Sequence, residues 1–137
     1  MIMEDFVTFE QAKALKELGF DWKCNHYYNV ITKEFRENYN YYSPEDAFEN
    51  PSSYDNHNND PHCVSVPTLA QAQKWLREEK QIYLFIDMGV NSNRQYYWYI
   101  TDSEGNSRKV SFSPFDSFEE ALTSGIDKAI EILTQEK

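Results

Sequence analysis

Apolar residues recur along this chain at two different periods, and the switches between them mark its elements. Ala12, Leu15 and Leu18 fall at three-residue steps, which predicts a helix over 9–18 that Gly19 ends, with Phe20 and Trp22 anchoring the exit. Leu69, Ala72, Trp75 and Leu76 predict a second helix over 69–79. Phe118, Ala121, Leu122, Ile126, Ala129, Ile130 and Leu133 step by three and four through a closing helix, where Gly125 allows close approach to a sheet. Between the helices the period drops to two. CNHYYNV and TKEFRENY, at 24–30 and 32–39, favour strands that pair as a hairpin, and QIYLFIDM, QYYWYITD and SRKVSF follow as three more. The last two are joined at Ser103-Glu104-Gly105-Asn106.

Each helical stripe is preceded by a recurring phrase: TFEQA at Thr8–Ala12, TLAQA at Thr68–Ala72 and SFEEA at Ser117–Ala121. These are capping boxes. The Ser or Thr hydroxyl accepts from the backbone N–H three residues on, and the Gln or Glu there reaches back to the N–H of the cap, serving donors that no helical carbonyl can reach. A fourth, SPEDA at Ser43–Ala47, places Pro44 at the first helical position, where its missing N–H costs nothing.

The strands also predict faces. Ile82, Leu84, Ile86 and Met88 share one side and Tyr83 and Phe85 the other; on the next strand Tyr96, Trp98 and Ile100 oppose Tyr97 and Tyr99. Both faces are apolar, so the expected fold is α+β. Helices cover one face of an antiparallel sheet, and the amino-terminal helix and hairpin cover the other, with Phe20, Trp22 and Phe35 opposite the four rings Tyr83, Phe85, Tyr97 and Tyr99. This reads as one domain over 1–137: a helix and hairpin at 1–39, a long irregular loop at 40–66, rich in Asn, Asp, Ser and Pro, and an α-β-β-β-α unit at 67–137.

At 137 residues and 16.3 kDa the chain is large enough to bury a core without metals or disulfides. Aromatics make up 16% of it, so that core, and any exposed patch, is expected to be ring-rich. With 23 acids against 13 bases the net charge is −10, and the basic residues are scattered, so direct binding to nucleic acid or anionic lipid is not expected. The acidic start MIMEDF lacks the basic and apolar regions of a secretory signal, and no stretch approaches the roughly 20 apolar residues of a membrane helix. A cytoplasmic protein with reduced Cys24 and Cys63 is expected.

Candidate chemistry is sparse. Cys24, His26, His57, His62 and Cys63 are zinc-compatible types, but structural zinc sites pair ligands roughly two to four residues apart, and here His62 and Cys63 are adjacent. No metal and no cofactor are expected. A Cys–His pair could serve nucleophilic catalysis only with an orienting third residue and an oxyanion site, and no GxSxG, HExxH or glycine-rich phosphate loop occurs. An enzyme is therefore not expected. Tyr41, Tyr42 and Tyr54 are the candidate partner-binding residues, because tyrosine supplies contact area with little entropy to lose.

The helix, three strands and helix from Leu69 onward are similar in outline to a double-stranded-RNA-binding domain, but the last helix begins SFEEALTSG, where lysines would have to grip phosphate. More specifically, FVTFEQAKALKELGF, VPTLAQAQKWLREEK and FDSFEEALTSGIDKAIEIL resemble a family of small acidic proteins, without an assigned activity, from gut bacteria, their prophages and phages. The resemblance implies a mobile-element setting and nothing residue-specific. The leading expectation is a non-enzymatic accessory protein that binds another protein through an aromatic-rich surface. The alternatives are an acidic nucleic-acid mimic that inhibits a DNA-binding enzyme, which needs carboxylates aligned on one surface, and a small ligand-binding domain or enzyme, which needs a pocket with convergent polar groups.

Overall fold

The computed structural model of the chain describes residues 5–37, 56–89, 95–102, 104, 107–111 and 113–135. It is α+β, as the periodicities predict, and it divides into two compact units. One is Phe6–Pro67; the other is Thr68–Lys137 together with the first residues up to Asp5.

In the first unit, helix α1 (Phe9–Glu17) starts at the expected capping box. Thr8 Oγ1 accepts from the Gln11 N–H at 3.1 Å, and Gln11 Oε1 accepts from the Thr8 N–H at 3.0 Å. Gly19 ends the helix with φ +97°; its N–H reaches the Lys16 carbonyl and the Phe20 N–H reaches that of Leu15, satisfying two orphan acceptors. Leu15 and Phe20 are both buried beside this stop.

Strands β1 (His26–Asn29), β2 (Phe35–Glu37) and β3 (Cys63–Ser65) form an antiparallel sheet in the order β2-β1-β3. The hairpin is present with shorter arms than expected. Its turn is built by Asn29, whose Oδ1 accepts from the N–H groups of Ile31 and Thr32, and by Lys33, which adopts φ 61°.

Part of the segment read as an irregular loop is structured: a 3₁₀ turn at His57–Asn59, capped by Asn56, leads into β3. Three-residue elements carry no legible period, so the pattern of apolar residues could not announce them. Side chains fix them in place. Asn58 Nδ2 donates to the Phe20 carbonyl at 2.8 Å and Asn58 Oδ1 accepts from the Ser65 N–H at 2.9 Å, while Lys16 Nζ donates to the carbonyls of Asp60 and Cys63. The expected SPEDA turn lies outside the described residues.

The second unit runs α2 (Leu69–Lys80), β4 (Tyr83–Met88), β5 (Tyr96–Thr101), β6 (Ser107–Val110) and α3 (Phe118–Gln135). Thr68 and Gln71 form a full capping box, and Ser117 Oγ accepts from the Glu120 N–H at 3.1 Å. The sheet is antiparallel in the order β4-β5-β6, with Leu84 opposite Ile100 and Ile86 opposite Trp98.

Both helices pack on the face carrying Ile82, Leu84, Trp98 and Ile100, all buried, against Ala72, Trp75 and Leu76 of α2 and Ala121, Leu122, Ile126, Ala129 and Ile130 of α3. Each large side chain so buried contributes roughly 1.5–3 kcal/mol. α3 approaches the sheet closely at Gly125: a Cβ there would lie 2.5 Å from Leu84 Cδ1 and 3.2 Å from Trp98 Cβ. Two positions depart from the predicted stripe. Ile132 is buried in place of Leu133, and Phe118 in the first turn is exposed.

Candidate functional site

The outer face of the β4–β6 sheet follows from strict alternation. With Leu84 and Ile100 turned to the helices, Tyr83, Phe85 and Asp87 of β4 and Tyr97 and Tyr99 of β5 point the other way. Phe85 and Tyr99 are cross-strand partners and their rings stack at 5.1 Å, with planes 23° apart. Val110 of β6 pairs with Tyr99 and extends the row.

These rings were expected to be buried beneath the helix and hairpin, and they are not. Phe85 is 43% exposed, Val110 is 47% exposed, and Tyr83, Tyr97 and Tyr99 are half-buried. Phe35, expected to oppose them, instead stacks on His26 at 5.0 Å with planes 11° apart. Phe20 is wholly buried beside the end of α1, and its ring lies 6.3 Å from that of Trp22. Phe20, Trp22 and Phe35 make their ring contacts within the amino-terminal unit.

That sheet gathers a second group of rings. His26 and Tyr28 share a face of β1, and Phe6, Phe9 and Phe35 close around them at centroid distances of 4.5–5.3 Å. Lys13 and Lys33 lie over Phe9 at 5.8 and 5.5 Å, so cations rim the group. Burial raises the Tyr28 phenol above its ordinary pKa, so it remains a neutral hydrogen-bonding group throughout the physiological range. Sequence reasoning missed this cluster because its members come from three elements; the signal available was the alternation of His26 and Tyr28.

The metal-compatible residues are spread across the same unit. Cys24 is buried, and burial pushes its thiol up to about 12, so it is a neutral, inert core residue. The His57 ring stacks on Tyr27 at 4.5 Å, on the face of β1 opposite that of His26. His62 donates its backbone N–H to Asp60 Oδ1, which is the largest influence holding the Asp60 carboxyl below its ordinary range. Cys63 Sγ lies 3.7 Å from Asp60 Oδ2, and burial first, then that carboxylate, raises its pKa away from a reactive thiolate. Among the described residues no three His, Cys, Asp or Glu side chains converge as a metal site would require. Tyr41, Tyr42 and Tyr54 lie outside the described residues.

On its helix side, the second unit carries an open groove of about 360 Å³, lined by Trp98, Lys109, Ser111, Phe115, Ser124 and Lys128 among others. No helix among the described residues is long and apolar enough to cross a membrane. No protein-family model matches the sequence, and no curated protein and no solved structure is significantly similar to it.

Proposed function

We propose that this chain is a non-enzymatic accessory protein that binds another protein through the outer aromatic face of the β4–β6 sheet. The observation that carries this reading is the exposed Phe85, stacked on Tyr99 beside the exposed Val110. Apolar surface left in water forgoes about 25 cal/mol per Å², and contiguous exposed apolar patches mark contact sites. Stacking holds the Phe85 ring in one orientation before a partner arrives, which lowers the entropy lost on binding. A net charge of −10 opposes direct contact with a phosphate backbone and favours a protein as the partner. The resemblance to proteins of gut bacteria and their phages supports a cytoplasmic, mobile-element setting.

The test is affinity capture from the host cell with the wild-type chain, Phe85→Asp and the helix-surface control Lys74→Glu. A partner recovered by wild type and control but lost with Phe85→Asp supports the reading. Equal recovery by all three moves the contact elsewhere.

A further inference from the structure

β6 is an edge strand of its sheet, and α3 lies across β4 and β5, so the helix-side positions of β6 form one wall of the groove. Lys109 pairs opposite Ile100, and the Ser111 N–H donates to the Trp98 carbonyl at 2.9 Å, which places Ser111 opposite Trp98. Both therefore stand on the helix side. Ser124 and Lys128, one turn apart on α3, form the facing wall. At one end Phe115 closes the groove by bridging Tyr96 through two backbone hydrogen bonds of 2.8 and 2.9 Å.

The floor is Trp98, and it sets the polarity of what surrounds it. Its backbone N–H donates to Ser111 Oγ at 3.1 Å and its indole Nε1–H donates to Ser124 Oγ at 3.0 Å. A hydroxyl that accepts in this way keeps its own proton to give, and neither proton meets an acceptor among the described residues. Lys109 has no carboxylate partner among the described residues, and Lys128 meets Glu131 at 3.1 Å in an exposed pair of the kind that contributes little. Two ammonium groups and the hydroxyls of Ser111, Ser113 and Ser124 thus line the groove, and none of the described residues lining it is acidic. In a chain of charge −10 that arrangement runs against the overall balance. Trp98 and Phe115 supply the apolar part of the lining.

We propose that this groove binds a small organic carboxylate with a planar apolar body. The ring packs on Trp98 and Phe115, and the carboxylate accepts from Lys109, Lys128 and the hydroxyls of Ser111 and Ser124. The volume suits such a ligand, being near the lower end of the roughly 300–1,000 Å³ of small-molecule sites. The site lies on the sheet face opposite Phe85 and does not depend on the protein-contact reading.

Benzoate is the probe, and the indole N–H resonance of Trp98, assigned by its loss in Trp98→Phe, is the readout. Benzoate should shift that resonance saturably, and the double variant Lys109→Gln with Lys128→Gln should weaken binding about tenfold or more, the scale of losing charge-assisted hydrogen bonds. Lys109 is exposed and Lys128 half-buried, and an unchanged circular-dichroism spectrum checks that the double variant retains its fold. Neutral benzyl alcohol should bind far more weakly than benzoate, and inorganic phosphate should not displace it. No saturable shift, equal binding of benzyl alcohol, displacement by phosphate, or unchanged affinity in the double variant each overturns the proposal. Phe85→Asp should leave benzoate affinity unchanged, so the two readings fail separately.

Discussion

The two three-stranded sheets share antiparallel pairing and little else. In the second unit β4 and β5 are six residues long, and two helices press their apolar stripes onto one face. Among the described residues of the first unit no strand exceeds four, every residue of β1 is half-buried and every residue of β2 is exposed. The first unit substitutes directional contacts for area: Asn29 builds the hairpin turn, Asn58 ties β3 to the end of α1, and Lys16 binds two carbonyls. Burial is non-directional and shared among many side chains, whereas such bonds concentrate the stability of a unit on a few named groups.

The largest expected effect tests the burial side of this contrast. Trp75 is 2% exposed in the core of the second unit. Trp75→Ala should destabilise by about 3–5 kcal/mol, the usual range for removing a buried large aromatic side chain. Urea denaturation reads this as a lower midpoint. A loss below that of the polar variant described next would break the comparison, because it would mean that α2 contributes less to its unit than one asparagine does to the other.

Asn58 is the corresponding test in the first unit. Asn58→Ala removes a donor to the Phe20 carbonyl and an acceptor for the N–H of Ser65, a residue only 1% exposed, and should cost about 2 kcal/mol. Asn58→Asp sharpens the result. The carboxylate still accepts from Ser65 but sets a charged oxygen against the Phe20 carbonyl in place of a donor, so the Asp variant should lose at least as much stability as the Ala variant; a loss well below that of Ala would show that the bond to Phe20 contributes little.

The same contrast decides what was legible in the sequence. Long elements with one buried face repeat their pattern often enough to be read, which is why α1, α2, α3, β4 and β5 fall where the periodicity places them. Short strands do not: β3 spans three residues, and it is fixed by Asn58 and by pairing with β1, neither of which leaves a periodic trace. The faces of β4 and β5 were legible too, but not what becomes of the outer one. Alternation says that Phe85 and Tyr99 share a side and cannot say whether anything covers it. The groove was hidden for another reason. Lys109 and Ser111 lie two apart on a strand and Ser124 and Lys128 four apart on a helix, so each pair shares a wall. Only the packing of α3 across β5 brings the walls together over Trp98.

The smallest effect compares the helix starts of the two units. Thr8 and Ser117 both accept from the backbone N–H at the third helical position, at 3.1 Å in each case, so equal chemistry is lost when either becomes alanine. Loss of a cap costs about 1 kcal/mol, within a range of roughly 0.5–2. What differs is the helix behind it. α1 has nine residues, with Gln11, Ala12 and Leu15 buried, so a frayed first turn removes a large share of its contacts. α3 has eighteen residues, its first-turn Phe118 is already exposed, and its buried stripe begins at Ala121. Glu119 and Glu120 also remain to complement the positive end of the helix dipole after Ser117 is replaced. Thr8→Ala should therefore destabilise more than Ser117→Ala, and Thr8→Ser should restore most of the loss. Denaturation midpoints measured on the three variants check the order; a greater loss from Ser117→Ala would show that the long helix depends on its cap despite the apolar face behind it.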